Sequence, residues 1–202
     1  MPTFTQDSLS KYLPVWETHL LKPYEDIKNK EVLKILDIGA GEGAATLWFA
    51  ANLATNTHTK VYSVDSWWQK EAERAFDRNI GECEVSYKII KLKGPVDVML
   101  YDLFSSIPTP SPRKMDIIYY NGTTQCTEAI KHIIAAWGLL KEEGTMIINN
   151  TDAKYRVNLL GGQTVRYTEI VDIFLKIYTG KLEVLHYSNQ LIIKKLSPGS
   201  LL

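Results

Sequence analysis

The stretch KILDIGAGEGAATLWFA, Lys34 to Ala50, decides how the rest of the chain is read. A short apolar run ends in Asp37, Gly39, Gly41 and Gly43 follow within one turn, and an amphipathic run begins at Ala44. Glycines at such a strand-to-helix turn let a ligand approach the backbone, and the helix start offers unpaired N–H groups and the positive end of a dipole. Two cofactor classes use this arrangement. Read as a dinucleotide fingerprint, Gly39, Gly41 and Ala44 satisfy GxGxxG/A, as a nicotinamide-dependent reductase would require. Asp37 argues against that reading. A pyrophosphate gains nothing from a carboxylate at the strand end, whereas an ammonium group pairs with it or with a group it orients. Asp65 closes the next β-like run, where a carboxylate can accept from both hydroxyls of a ribose, and this suits either class. The bland alternative is a glycine turn that only connects strand to helix, and the coincidence of acid, spaced glycines and second acid weighs against it.

Outward from this stretch, β-branched runs alternate with longer amphipathic ones, the pattern of a parallel sheet covered by helices. Strands are expected at Leu33–Ile38, Lys60–Asp65, Val85–Leu92, Met115–Asn121, Thr145–Asn149, Leu182–Tyr187 and Leu191–Leu196, and helices at about 43–54, 69–80, 95–105, 124–141 and 164–179. Only Ser188, Asn189 and Gln190 separate the last two strands, too few for a parallel crossover, so these form an antiparallel hairpin. The expected fold is α/β: a Rossmann-like, mostly parallel seven-stranded sheet with helices on both faces. Before the first strand, Leu9, Leu13, Trp16 and Leu20 recur at helical spacing, interrupted by Pro14, and read as one or two cap helices. Ile107–Lys114 and Asn158–Gly162 read as loops.

Composition limits the rest. The 202 residues hold 23 Lys plus Arg against 23 Asp plus Glu and are 45% hydrophobic, which suits one soluble domain with a core that needs no staples. Cys83 and Cys126 form no CxxC pair and argue against a thiolate zinc site. The first twenty-five residues carry no signal-like or membrane-spanning apolar run, so the expected location is cytoplasmic, with no membrane partner. Zero net charge disfavours a nucleic-acid partner without excluding one.

On the residues Asp37 to Gly43, Asp65 and the terminal hairpin, the chain resembles the class I S-adenosylmethionine-dependent methyltransferases, whose first motif has the form D/E-x-G-x-G. The segment AAWGLLKEEGTMII, Ala135–Ile148, likens it to the small-molecule O-methyltransferase-like branch with an N-terminal cap. The resemblance implies one domain over 1–202, with a cap at 1–30 and a cofactor-binding core at 31–202. It also implies S-adenosyl-L-methionine as cofactor. Asp37, Gly39, Ala40, Gly41 and Gly43 would line its methionine and ribose, Asp65 would bind the ribose hydroxyls, and Ser66 and Trp67 would flank the adenine. An indole just past the ribose acid can stack on a purine, though a core tryptophan is the equal alternative.

In metal-dependent relatives of this branch, acids end the fourth strand and the fifth, where an Asn follows. Here Asn121, Asn149 and Asn150 stand at those places, and a hard cation needs carboxylates to offset its dehydration, so no metal is expected. Asp152 is the nearest carboxylate for a base. Asn121, Asn149 and Asp152 are therefore the candidate catalytic residues for transfer of a methyl group to an oxygen of a small molecule. The alternative is a methyltransferase-fold module that has lost its chemistry and serves as a binding or regulatory partner. Either reading leaves room for a homo-oligomer.

Overall fold

Three short apolar runs build the first part of the sheet. In a computed structural model of the chain, β1 (Lys34–Ile38), β2 (Lys60–Asp65) and β3 (Ile89–Lys93) lie parallel, with Lys34 opposite Lys60 and Val61 opposite Ile89. The structure describes residues 2–5, 9–105, 114–152, 156–158 and 164–198. Backbone contacts divide the chain into two compact units, Met1–Met99 and Leu100–Leu202.

In the first unit, β1 is buried from Ile35 to Ile38, as a parallel strand covered on both faces must be. From Ser10 to Tyr24 the N-terminal segment is helical: a 3₁₀ turn at Ser10–Tyr12, α1 (Leu13–Trp16), a π turn at Glu17–Leu21 and α2 (Lys22–Tyr24). Pro14 and Pro23 each sit in the first turn of a helix, where the missing N–H costs nothing, and the wide π turn relieves the clash Pro23 would make with the preceding turn. Its buried stripe is Tyr12, Trp16, Leu20 and Tyr24, one every fourth residue. Trp16 stacks on Phe49 of α3 (Ala44–Asn52) with centroids 5.1 Å apart and meets Trp48 edge-on at 4.8 Å. Leu9 and Leu13, expected on that stripe, instead line an apolar cavity of about 530 Å³ with Phe4, Leu47 and Trp48. The α4 helix (Lys70–Gly81) turns Phe76 inward, where it packs with Ala40 and Trp67.

The third strand begins later than its composition suggests. Ser86–Lys88 form a 3₁₀ turn because Lys88 is drawn inside, where its ammonium donates to the Ala54 carbonyl, and Lys60 Nζ holds the Tyr87 carbonyl at 2.9 Å.

The α5 helix (Val96–Ser105) spans the division in sequence. In the second unit β4 (Met115–Tyr120) pairs in parallel with β5 (Leu140–Asn149). The strand β5 starts five residues before the expected Thr145, and α6 (Cys126–Leu139) ends earlier to match, because Leu140 is already extended. The pairing slips between Met115 and Ile117, where a Cβ on Gly144 would lie 2.9 Å from the Asp116 and Lys141 carbonyl oxygens, so only glycine fits. A small antiparallel pair, β6 (Arg156–Asn158) with β7 (Thr164–Arg166), replaces the expected start of the last helix, and α7 runs Tyr167–Ile177. The Glu169 carboxylate accepts the Arg166 N–H at 3.2 Å and marks that start. The expected loops lie outside the described residues except for Lys114 and Asn158. Finally β8 (Leu182–Tyr187) and β9 (Gln190–Lys195) form the antiparallel hairpin, with β9 against β5. The strand orders are β3-β2-β1 in one unit and β4-β5-β9-β8 in the other, and the seven strands make the mostly parallel Rossmann-like sheet the sequence predicts.

Candidate active site

The turn after β1 takes its shape from glycine. Gly39, Gly41 and Gly43 have φ of 83°, 54° and 91°, a region that costs other residues about 1–2 kcal/mol. The glycines do different work. A Cβ on Gly43 would sit 3.1 Å from Phe76, so that position is set by packing on α4, whereas a Cβ on Gly41 would meet nothing within 4 Å. Open space therefore faces the backbone at Gly41. The N-terminal strand of chain is tied nearby, with the Thr5 amide and hydroxyl both donating to the Glu42 carboxylate at 2.7 Å.

Asp65, at the end of β2, brackets this turn. The Gly41 N–H donates to Asp65 Oδ2 at 2.9 Å, and the Trp67 N–H donates to Oδ1 at 2.8 Å. Each carboxylate oxygen keeps a second lone pair, enough for the two ribose hydroxyls the sequence reading assigns to it. Trp67 differs from its adenine-flanking expectation. Its indole is 2% exposed, packs against Phe76 at 4.8 Å, lies under the Lys91 ammonium at 4.8 Å, and donates from Nε1 to the Gly41 carbonyl at 2.7 Å. That leaves no open face for a purine in this arrangement. Trp67 braces the glycine turn, which also accounts for its left-handed backbone (φ 43°). Ser66 beside it is exposed.

Asp37 lies fully buried rather than open to the turn. Its Oδ2 accepts from Thr46 Oγ1 at 2.5 Å, and Thr46 Oγ1 also meets Ser63 Oγ at 2.9 Å. Neither partner figured among the candidate residues. Their signal is a single small polar residue in each of two apolar elements, with Ser63 directly opposite Asp37 in the β1–β2 register. Asp37 Oδ1 has no hydrogen-bond partner among the described residues. Burial raises the carboxyl, the Thr46 hydroxyl opposes it and the nearby Asp65 charge adds to it, which leaves the group pushed up to about 7. An unpaired buried carboxylate oxygen beside an open glycine backbone fits a cofactor that carries a positive charge and a ribose.

At the carboxyl ends of β4 and β5 the structure joins Asn121, Asn149 and Asn150. Asn149 Nδ2 and Asn150 Nδ2 both donate to Asn121 Oδ1, at 2.8 and 3.1 Å. Gln190, which the sequence reading passed over, donates from Nε2 to Asn149 Oδ1 at 3.1 Å. Asp152 is exposed in the following turn, and no hydrogen bond among the described residues joins it to this group. Two of the three Asn side-chain oxygens are thus spent on N–H donors. The side chains joined here are neutral amides, whereas a hard cation favours carboxylates, and no group of three or more His, Cys, Asp or Glu gathers among the described residues.

A family model described as a methyltransferase domain matches residues 36–151. This chain belongs to that family. Its fold is shared with the O-methyltransferase from Bacillus cereus in complex with SAH, at 12% identity and TM-score 0.64 over 90% of this chain and 80% of that one. It is shared also with an rRNA methylase from Streptococcus thermophilus (13% identity, TM-score 0.56, 91% and 97% covered) and with MycE of the mycinamycin biosynthetic pathway, in complex with Mg and SAH (14%, TM-score 0.67, 97% and 52% covered). No curated protein matches the chain in sequence. This methyltransferase carries its glycine turn and second acid at the ends of β1 and β2, and no helix among the described residues is long and apolar enough to cross a membrane.

Proposed function

We propose that this methyltransferase moves the methyl group of S-adenosylmethionine to an oxygen of a small molecule, without a bound metal. The observation that carries the cofactor half is Asp65 holding the Gly41 amide, with open space at the Gly41 backbone. Asp65 would take the ribose hydroxyls, Gly39, Ala40 and Gly41 would line the cofactor, Ser66 would face the adenine, and Asp37 would act through its charge on the ammonium side. The observation that carries the metal-free half is the amide cluster, in which the Asn121 and Asn149 side-chain oxygens are already engaged by N–H donors.

Methyl transfer is an in-line displacement, and positioning supplies much of its acceleration. When bound, the cofactor would supply a methyl carbon on a sulfonium, and the acceptor oxygen would bond to that carbon as its bond to sulfur broke, with the electron pair kept on sulfur as a neutral thioether. Asn121, with Asn149 behind it, would orient the acceptor oxygen, and Asp152 would take up a proton near the surface. The zero net charge supports a small acceptor over RNA.

A binding module that has lost its chemistry is the second reading, favoured by the neutral amides Asn121, Asn149, Asn150 and Gln190 gathered at these strand ends. Titration calorimetry with S-adenosylmethionine and S-adenosylhomocysteine, with and without Mg²⁺, tests the first. Binding that ignores Mg²⁺ and weakens in Asp65→Ala is expected, and failure of both ligands to bind the wild-type chain overturns it. Turnover of any acceptor, lost in Asn121→Leu, excludes the module.

A further inference from the structure

The amides at the ends of β4 and β5 form a chain with a direction. Each side-chain amide has one oxygen and one NH₂ group, so the end that faces one neighbour decides the end that faces the next. Gln190 opens β9 and stands opposite Asn149 in the antiparallel register. Its Nε2 takes the Asn149 oxygen, which turns Asn149 Nδ2 toward Asn121, and Asn150 Nδ2 reaches the same Asn121 oxygen. Gln190 is 1% exposed and Asn149 6%, so water does not compete for these bonds. Asn121 is half-buried, and its Nδ2 has no partner among the described residues.

We propose that Gln190 is a positioning residue that fixes the polarity of this chain, so that Asn121 is presented as a hydrogen-bond donor to the anionic oxygen of the methyl acceptor. This rests on the methyltransferase reading above and narrows its substrate class. A donor stabilises an anion and lowers the pKa of a bound hydroxyl, but it cannot accept the proton. The acceptor is therefore a small oxyacid, a carboxylate or acidic phenol, whose proton leaves to the exposed Asp152 and the water around it before transfer. The anionic oxygen then uses one lone pair for the bond to carbon, the pair of the broken carbon–sulfur bond stays on sulfur, and the two charges cancel.

The test uses the full chain, labelled with ¹⁵N, and follows the side-chain amides with S-adenosylhomocysteine present. In the wild type, the Asn149 NH₂ protons exchange with water about tenfold more slowly than those of Asn121, because only the former are tied to a protein acceptor. Benzoate, used as the anionic probe, shifts the Asn121 amide more than any other side-chain amide. Gln190→Met weakens that shift severalfold. Equal protection of Asn121 and Asn149, or benzoate shifting other amides more than Asn121, overturns the proposal. Both wild-type measurements stand if Gln190→Met does not fold. S-adenosylhomocysteine binding without an Asn121 response sinks only this proposal, whereas failure to bind it sinks the methyltransferase reading as well.

Discussion

Gly41 and Asp65 are joined by an N–H to carboxylate hydrogen bond of 2.9 Å across 24 residues of sequence, and Trp67 closes the same ring from both its backbone and its indole. The acid of β2 therefore shapes the glycine turn of β1. Asp65→Ala removes two acceptors and leaves the Gly41 and Trp67 amides without them, at about 1–3 kcal/mol for each group left buried. A fall in thermal midpoint together with weaker S-adenosylhomocysteine binding is expected, and an unchanged midpoint would contradict the bracket.

Gly41 and Gly43 should respond differently to alanine. Both have positive φ, but only at Gly43 does the new Cβ press on Phe76 at 3.1 Å. Gly43→Ala should destabilise more, by about 1–3 kcal/mol from overpacking in addition to backbone strain. Gly41→Ala should cost binding of S-adenosylhomocysteine more than stability. Chemical denaturation beside calorimetry separates the two.

Asp37 makes stability depend on pH. Its folded value of about 7 lies above the ordinary 3.8, so the native state holds the proton more tightly than the unfolded chain. The stability contributed by this group is present below about pH 4, is lost as pH rises toward about 7, and stays lost above. Asp37→Asn removes the titration. The difference in urea midpoint, variant minus wild type, should rise between pH 4 and 8, and a flat difference would show that the carboxyl is not perturbed.

Trp67→Phe keeps most of the packing on Phe76 and deletes the bond to the Gly41 carbonyl. A loss of about 1 kcal/mol is expected. Because the indole is enclosed, S-adenosylhomocysteine should not quench Trp67 fluorescence through stacking. A single-tryptophan variant that retains Trp67 and is strongly quenched would restore it to the adenine site.

Trp16→Ala removes the ring that joins the N-terminal helical segment to Phe49 and Trp48. A wholly buried aromatic cut to alanine costs about 3–5 kcal/mol, read as a lower denaturation midpoint.

Much of the fold was legible because local spacing carries it. The period of the apolar residues gave β2 and β8 at their observed ends, and the few residues after Tyr187 left a hairpin as the only connection. What was misread lay where a distant contact overrides local preference. Lys88 reaches the Ala54 carbonyl and delays β3, and Gly144 under the Asp116 carbonyl lets β5 begin early.

The site divides along the same line. The sequence by itself determined which residues stand at the strand ends: the acid and glycines after β1, the acid after β2, and amides in place of acids after β4 and β5. Those positions follow from chain order and strand length, which are local. Only the tertiary structure decided what each group does there. It buried Asp37 against Thr46 and Ser63, turned Trp67 inward, and set Gln190 behind Asn149. Hydrogen-bond direction and burial depend on neighbours brought in from other strands, and no local pattern records them.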